Sequence, residues 1–331
     1  MPSQLKMTAT RVLVLFGLAL AFAGVGEAAF AQDYPTRPIT LVAPFPPGAS
    51  VDALARVLRD PLTEILSQPI IVENRAGAGG STGAGVVANA APDGYTLLVT
   101  VNAPITMNAY MQKNMPFDPR RAFAPITLAA ETSLLLAVHP AVPAANVAEL
   151  IAYAKQGTSK LSYGSAGVGS GHHITGELLK QKTGIDMNHI PYRGGGPAIQ
   201  DLVAGHIQIS FGTPPSVLPQ SSAGRVRLLA VAEDKRFAYL PQVPTIAETV
   251  PGVTLPATWL GLLAPAWTPK PIIDKLNRAM LVVLKQPDVI EKLKQQGLLV
   301  IGQGPEALEN KIVDELAFFG RTIPALGIQP E

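Results

Sequence analysis

The chain has 331 residues, enough for roughly two domains at the usual ~150 residues each. Hydrophobic residues make up 47% of the composition and charged residues only 15%, which excludes a chain kept disordered by its charge. The 26 Lys and Arg residues nearly balance the 24 Asp and Glu residues, so we predict no nucleic-acid partner. Cysteine is absent, which excludes disulfides, thiolate nucleophiles and thiolate-bound metals.

The first 31 residues are typical of a secretory signal peptide. Lys6 and Arg11 precede an apolar run at positions 12–23, and Ala29 and Ala31 supply the small residues of a cleavage site. A transmembrane anchor is the alternative, but it needs ~20 apolar residues and this run is shorter. We therefore expect cleavage after Ala31 and export of the mature chain.

Predicted strands and helices alternate after this leader. Strands are predicted at 39–43, 70–72, 95–101, 134–138, 161–163, 189–191 and 207–211, and helices at 86–90, 147–156, 172–182 and 197–204. A further helix begins at Ser50, its predicted N-cap, and Pro61 is expected to kink or interrupt it. Three helices at 271–284, 287–296 and 305–322 close the chain, each opened by a proline. The alternation predicts α/β layers around largely parallel sheets.

Four junctions combine a strand, a turn rich in Gly, Pro or Ser, and a helix start. They lie at 43–52, 162–173, 190–197 and 211–217. Glycines let the backbone approach a ligand closely, and the unpaired N–H groups at a helix start attract anions. In an open α/β sheet such turns meet at the carboxyl ends of the strands. The set indicates a small anionic ligand held by backbone and hydroxyl groups.

Enzyme and cofactor motifs fit the sequence less well. Ser81 lies in a G-x-S-x-G string, yet eight residues separate it from the preceding strand, whereas a hydrolase nucleophile follows its strand directly. A loose dinucleotide fingerprint at 83–88 lacks the acidic residue expected about 20 positions later, where Asn108 stands. His172 and His173 are adjacent, so on a helix they point about 100° apart and do not form a metal site. We predict no cofactor and no metal.

Several motifs together resemble the Bug-type receptors of tripartite tricarboxylate transporters, which bind solutes outside the cytoplasm. The motifs are PFPPG at 44–48 with Asp52, VENR at 72–75, PDGYTL at 92–97, YGSAGVGS at 163–170 with His173, PYRGGGPA at 191–198 and VPTIAE at 243–248. The likeness covers essentially the whole mature chain, in order.

The resemblance implies an α/β type II periplasmic-binding-protein fold, in which two lobes joined by crossing hinge strands close over a ligand. The first lobe would comprise 32–133 plus 256–331 and the second 134–255, with crossings near 131–134 and 255–260. The ligand would be a small carboxylate: a di- or tricarboxylate, an acidic amino acid or an aromatic acid. The receptor, a monomer and not an enzyme, would deliver it to the membrane subunits of a transporter or, alternatively, signal to a sensor kinase.

The family's ligand-binding positions map by motif onto both lobes. The first-lobe loop would contribute Phe45, Pro46, Gly48, Ala49 and Asp52, and the second lobe would contribute Ser165, Gly169, Ser170 and His173, with Thr213 and Pro214 nearby. Ala49 stands where the family usually has a second glycine, which predicts a changed pocket shape. For Arg193 the alternatives are a residue that binds a carboxylate and a solvated loop residue. For Trp259 they are a residue that lines the pocket and a residue of the core.

Overall fold

The short apolar runs of the sequence form buried strands. The computed structural model describes residues 34–157, 160–328 and 330; the predicted leader at 1–31 lies outside them. The strands are β1 (Ile39–Ala43), β2 (Ile70–Asn74), β3 (Thr96–Val101), β4 (Phe123–Thr132), β5 (Leu135–Val138), β6 (Leu161–Ser165), β7 (Met187–Pro191), β8 (Ile209–Gly212), β9 (Arg227–Val231), β10 (Thr258–Pro265) and β11 (Leu299–Gln303).

Helices cover both sheets. They are α1 (Ser50–Leu66), α2 (Ser81–Ala88), α3 (Asn108–Met111), α4 (Val147–Lys155), α5 (Gly171–Thr183), α6 (Gly195–Val203), α7 (Pro214–Ser222), α8 (Lys270–Val283), α9 (Pro287–Gln295) and α10 (Pro305–Ala325). The helix α1 buries Leu54, Leu58 and Leu62 on one face, at 3% exposure or less. This apolar stripe packs the helix against the first sheet.

The strands form two sheets, one in each lobe. The first sheet has the order β11-β4-β10-β3-β1-β2 and the second β7-β6-β8-β5-β9. In the first sheet β1 runs parallel to β2 and β3, whereas β10 runs antiparallel to β3 and β4. In the second sheet β6 is parallel to β7 and β8, and β5 is antiparallel to β8 and β9. The predicted two-lobed α/β architecture is confirmed, but the prediction of largely parallel sheets was wrong, because both sheets mix parallel and antiparallel pairs.

The chain crosses between the sheets twice. It leaves the first sheet at Thr132 and enters the second at Leu135, and it returns between Val231 and Thr258. The two crossings are hydrogen-bonded to each other, since the Ala232 N–H donates to the Leu134 carbonyl at 2.8 Å. The lobes are therefore joined by crossing strands that lie side by side, as the resemblance implied.

Some local predictions were wrong. The sequence pattern missed the strands β4, β9, β10 and β11. In β4 and β10, Pro125 and Gly261 interrupt the pattern of strand-forming residues, and these two strands pair with register shifts. The helix α1 has Ala49 rather than Ser50 at its N-cap position, and it continues past Pro61 to Leu66. The helix α2 begins at Ser81, five residues before the predicted start, and includes Gly83. A Cβ on Gly83 would lie 2.5 Å from the Arg75 carbonyl, so glycine permits α2 to pack this closely.

Candidate functional site

A cavity lies between the lobes, where four helices begin. The helices α1, α5, α6 and α7 border it with Ser50, Gly171, Gly195 and Ser216 in their first turns, and it encloses about 620 Å³ of space, part of it open to solvent. The first N–H groups of a helix have no partner within it, and the helix dipole is positive at this end. Pro214 and Pro215 open α7 and have no N–H, so the unpaired N–H groups at the cavity belong to α1, α5 and α6. The four junctions predicted from the sequence therefore meet at one place, which suits a small anion.

The first-lobe loop is shaped by one glycine. Gly48 has a φ of +85°, a conformation that favours glycine, whereas Ala49 has φ −72° and ψ 160°, which any residue adopts. The alanine at position 49 therefore costs no backbone strain, and its methyl group borders the cavity. Phe45 lines the cavity as well. Pro46 lies against the other lobe, since a Cβ on Gly194 would come within 2.8 Å of its ring.

Asp52 lies behind this loop and does not line the cavity. Its carboxylate accepts hydrogen bonds from the Gly48 N–H (2.9 Å), from Arg56 Nε (2.9 Å) and from Asn74 Nδ2 (3.0 Å). Burial alone raises the pKa of Asp52, but the hydrogen bonds from Arg56, Gly48 and Asn74 outweigh it and hold the pKa below its ordinary value. Asp52 is thus an ionised clamp that fixes Gly48 and the start of α1.

Ser170 caps the helix α5 and borders the cavity. Its hydroxyl donates to the Gly167 carbonyl at 2.6 Å and accepts from the His173 N–H at 3.3 Å. Gly169, beside it, lies where the lobes meet, since a Cβ there would come within 2.3 Å of Asn108 Oδ1 in the first lobe. Gly169 has a φ of +79°. The turn therefore holds Ser170 at the cavity and brings Gly169 to the opposite lobe.

Two adjacent histidines on α5 face different surroundings. His172 lines the cavity, and burial lowers its pKa to about 4, so it is neutral at pH 7. His173 does not line the cavity; its ring stacks on His189 with the centroids 4.1 Å apart. Ser165 Oγ lies 2.6 Å from His189 Nε2, so Ser165 and His173 both contact His189 and neither lines the cavity. His172 is thus the histidine of this pair that borders the cavity, although the motif pointed to His173.

Hydroxyl groups supply polar contacts in the cavity. Ser50 and Thr213 both line it, and their hydroxyls form no hydrogen bond with another described residue. Thr213 holds the N-cap position of α7 without capping it, and Pro214 follows as the first helical residue, against Gly297. These two hydroxyls remain available to a ligand.

The sequence analysis missed several residues that line the cavity. They are Asn102 and Ala103 after β3, Ala166 after β6, Ser216 in α7 and Thr258 at the start of β10. Asn102 directly follows a strand of the predicted parallel layer, so the rule that ligands bind at the carboxyl ends of strands could have found it. Thr258 opens a strand that the pattern did not predict.

Ser81 and Trp259, which the sequence also offered as site residues, do not line the cavity. Ser81 accepts a hydrogen bond from Asn108 Nδ2 at 2.7 Å and donates towards Met115 Sδ at 3.5 Å; neither an amide nor a thioether is a general base. Trp259 is fully buried in a core cluster of the first lobe with Leu128 and Leu263, and it does not line the cavity. Within residues 34–157 and 160–328, no group of three or more acidic or histidine side chains is placed to hold a metal, and no helix is long and apolar enough to span a membrane.

Arg193 lines a second, outer cavity that adjoins the first. Phe45 and Ala166 border both, and the outer cavity is otherwise lined by residues that include Gly79, Gln112 and Tyr192. The Tyr192 hydroxyl donates to Asp201 at 2.7 Å, so it is already engaged. Arg193 has the one charged side chain among the described residues that line the outer cavity. The guanidinium therefore lies at the wall of the cleft, outside the first cavity.

Comparison with known proteins identifies relatives over almost the whole chain. A sequence profile described as "Tripartite tricarboxylate transporter family receptor" matches residues 54–328. Protein BugT of Bordetella pertussis is 34% identical over 311 residues, which cover 94% of this chain and 95% of BugT.

Solved structures show the same fold. A protein of R. palustris solved with adipate superposes with a TM-score of 0.86 at 34% identity, covering 90% of this chain and 100% of that one. MatC from Rhodopseudomonas palustris with bound malate superposes with a TM-score of 0.82 at 32% identity, covering 88% of this chain and 100% of MatC. The chain therefore shares its fold with one protein solved with adipate and another solved with bound malate.

Proposed function

Because the chain belongs to the tripartite tricarboxylate transporter receptor family, whose members are periplasmic solute-binding proteins, we propose that it captures a small carboxylate between its lobes and delivers it to a transporter. The observation that carries this proposal is the meeting at one cavity of the N-termini of α1, α5 and α6, which carry unpaired N–H groups, with the Ser50 and Thr213 hydroxyls. Backbone N–H groups and hydroxyls bind a carboxylate without a buried cation. The adipate and malate bound by the two structural neighbours agree with that class of ligand.

Lobe closure is part of the proposal. The lobes we propose comprise 32–133 plus 256–331 and 134–255; the strands of the first sheet fall within the former and those of the second sheet within the latter. A ligand that touches both lobes stabilises the closed state by the difference between its affinities for the closed and open states. Ser50 lies in the first lobe and Thr213 in the second, so a single bound carboxylate can bridge them.

The route to the periplasm and the partner follow from the same proposal. The leader at 1–31 would direct export and be removed after Ala31, and the mature receptor would act as a monomer that docks on the membrane subunits of a tripartite transporter. No catalytic role is proposed. Cell fractionation with mass determination of the mature chain tests the export step, because retention of residues 1–31 on a membrane-bound product would contradict it.

A thermal-shift screen against a carboxylate panel tests the central proposal. A ligand at 100 times its dissociation constant adds ~2.7 kcal/mol to the free energy of unfolding, which moves the Tm of a chain this size by a few degrees. We expect di- or tricarboxylates, acidic amino acids or aromatic acids to raise the Tm. If neutral sugars or cations raise it and no carboxylate does, the proposal is wrong.

A further inference from the structure

Phe45 and Ala166 border both the cavity at the helix starts, called the inner cavity below, and the outer cavity beside it. Phe45 belongs to the first-lobe loop after β1, and Ala166 belongs to the second-lobe turn after β6. The two cavities therefore meet between one residue from each lobe. A ligand that extends from the inner cavity into the outer one passes between Phe45 and Ala166.

The ring of Phe45 is buried and is held in place by its own lobe. The Phe45 carbonyl accepts a hydrogen bond of 3.0 Å from Asn74 Nδ2. A Cβ on Gly80 would lie 3.0 Å from Cζ of the ring and 2.5 Å from Pro104 Cγ, so the tip of the ring packs against the glycine backbone beside Pro104. The ring therefore has no room to withdraw towards Gly80 when a ligand passes.

The turn that carries Ala166 is fixed as well. The Ser165 carbonyl accepts a hydrogen bond of 3.1 Å from the Tyr192 N–H, and the Gly167 carbonyl accepts one of 2.6 Å from the Ser170 hydroxyl. Ala166, between these two carbonyls, is buried. Because the backbone is held on both sides of it, a larger side chain at position 166 would narrow the space between the cavities.

The two cavities offer different surroundings to a hydrocarbon chain. The inner cavity has apolar walls, which include Val51 and Leu134, beside the helix starts and hydroxyls. The outer cavity is lined by the backbone of the loop 77–80 and by polar side chains that include Gln112 and Arg193. A methylene group gains affinity where it is buried against apolar side chains. Methylenes in the inner cavity therefore strengthen binding more than methylenes in the outer one.

We propose that Phe45 and Ala166 form a neck between the two cavities, and that this neck sets the length of the hydrocarbon chain that the receptor binds with gain of affinity. The proposal rests on the proposed function, since it takes the carboxylate to lie at the helix starts of the inner cavity. Each methylene up to the neck strengthens binding, because the apolar walls bury it. A methylene beyond the neck adds little. Phe45 and Ala166 are thus the residues that determine specificity for chain length.

Calorimetry with the unbranched monocarboxylates from acetate to octanoate tests the neck, because these acids differ in length alone. In the wild type we expect the affinity to rise about fourfold for each added methylene and then to level off at one chain length within the series. Phe45→Ala should move this point to a longer chain, because it widens the neck. Ala166→Val should move it to a shorter chain, because it narrows the neck.

Phe117→Ala is the matched control. It removes a phenyl ring from the same lobe, at a residue that packs on Phe123 with the ring centroids 5.2 Å apart and lines neither cavity. The chain length at which the affinity levels off should therefore stay as in the wild type. If Phe45→Ala does not fold, Ala166→Val still decides.

Three results would overturn the neck while leaving the proposed function intact. They are an affinity that does not level off in the wild type, a chain length that the folded neck variants leave unchanged, and binding of di- or tricarboxylates with no binding of any monocarboxylate. An equal shift in Phe117→Ala would also count against it. If no carboxylate of any kind binds, the proposed function itself fails and the neck fails with it.

Discussion

Glu233, in the second crossing between the lobes, accepts a hydrogen bond of 2.8 Å from the backbone N–H of Leu134 in the first. The neighbouring Ser133 hydroxyl donates to the other oxygen of the same carboxyl group. Leu134 borders the ligand cavity. One buried side chain thus ties both hinge strands together directly beside the site.

Substitution of Glu233 by Gln should change how stability depends on pH. Burial raises the pKa of Glu233 to about 7 from 4.5, hydrogen bonds from Ser133 and Leu134 oppose the rise, and the charge of Asp234 adds to it. Between these values the folded protein keeps a proton that the unfolded chain releases, so the stability falls as the pH rises from 4.5 to about 7 and then levels off. Glu233→Gln keeps an acceptor for Leu134 and removes this loss.

Thermal melts of the wild type and Glu233→Gln across the window check this prediction. Glu315 also has its pKa raised to about 7 by burial, so roughly half of the slope should remain in the variant. Above the window the variant should melt a few degrees higher than the wild type. If the slope of stability against pH is unchanged in Glu233→Gln, folding does not raise the pKa of Glu233.

Ser170→Ala should affect stability more than binding. The Ser170 hydroxyl caps α5 and gives its proton to the Gly167 carbonyl, so it has no second proton for a ligand. Loss of the cap should lower the free energy of unfolding by about 1 kcal/mol, and Ser170→Gly should cost only a few tenths. Denaturant unfolding measures both, and calorimetry should find the affinity changed by less than about threefold. A much larger loss of affinity would make Ser170 a direct ligand contact.

The alternation of strands and helices predicted the α/β layers and the junctions that meet at the site, and the family resemblance implied the two lobes, but neither settled which side chains line the cavity. The rule that turns meet at the carboxyl ends of strands brought four junctions together correctly. It could not choose between His172 and His173, because adjacent positions on a helix differ by about 100° and the phase of α5 is set by packing. Nor could it connect Thr106 with Glu315, because that hydrogen bond joins positions more than 200 residues apart and is made by tertiary structure alone.

Arg193→Gln should weaken only ligands that carry a second acid group. Arg193 lies in the outer cavity, which adjoins the inner one at Phe45 and Ala166. A long dicarboxylate held by one end in the inner cavity would extend its second acid group towards Arg193, whereas the matching monocarboxylate has no such group. Because the guanidinium is exposed, the loss should be modest, roughly 1.5- to 5-fold, and smaller at high salt.

Calorimetry with adipate and hexanoate measures this difference. Arg225→Gln is the control, since Arg225 is an exposed arginine of the second lobe that lines neither cavity. An equal effect of Arg193→Gln on both acids, or the same effect in Arg225→Gln, would make Arg193 an ordinary solvated residue.

Gly169→Ala should prevent the lobes from closing fully. The new methyl group would lie 2.3 Å from Asn108 Oδ1 across the cleft, and Asn108 is itself held by its bond to Ser81. Gly224→Ala is the matched control, because Gly224 has a similar φ of +69° with open space around it and so carries the backbone strain without the contact.

Both variants should lose about 1 kcal/mol of stability from the positive φ. Only Gly169→Ala should weaken ligand binding, by at least tenfold, because the closed state that the ligand stabilises is no longer reached. Small-angle scattering with and without ligand should then show compaction in Gly224→Ala and none in Gly169→Ala, and equal affinities in the two variants would remove Gly169 from the closing surface.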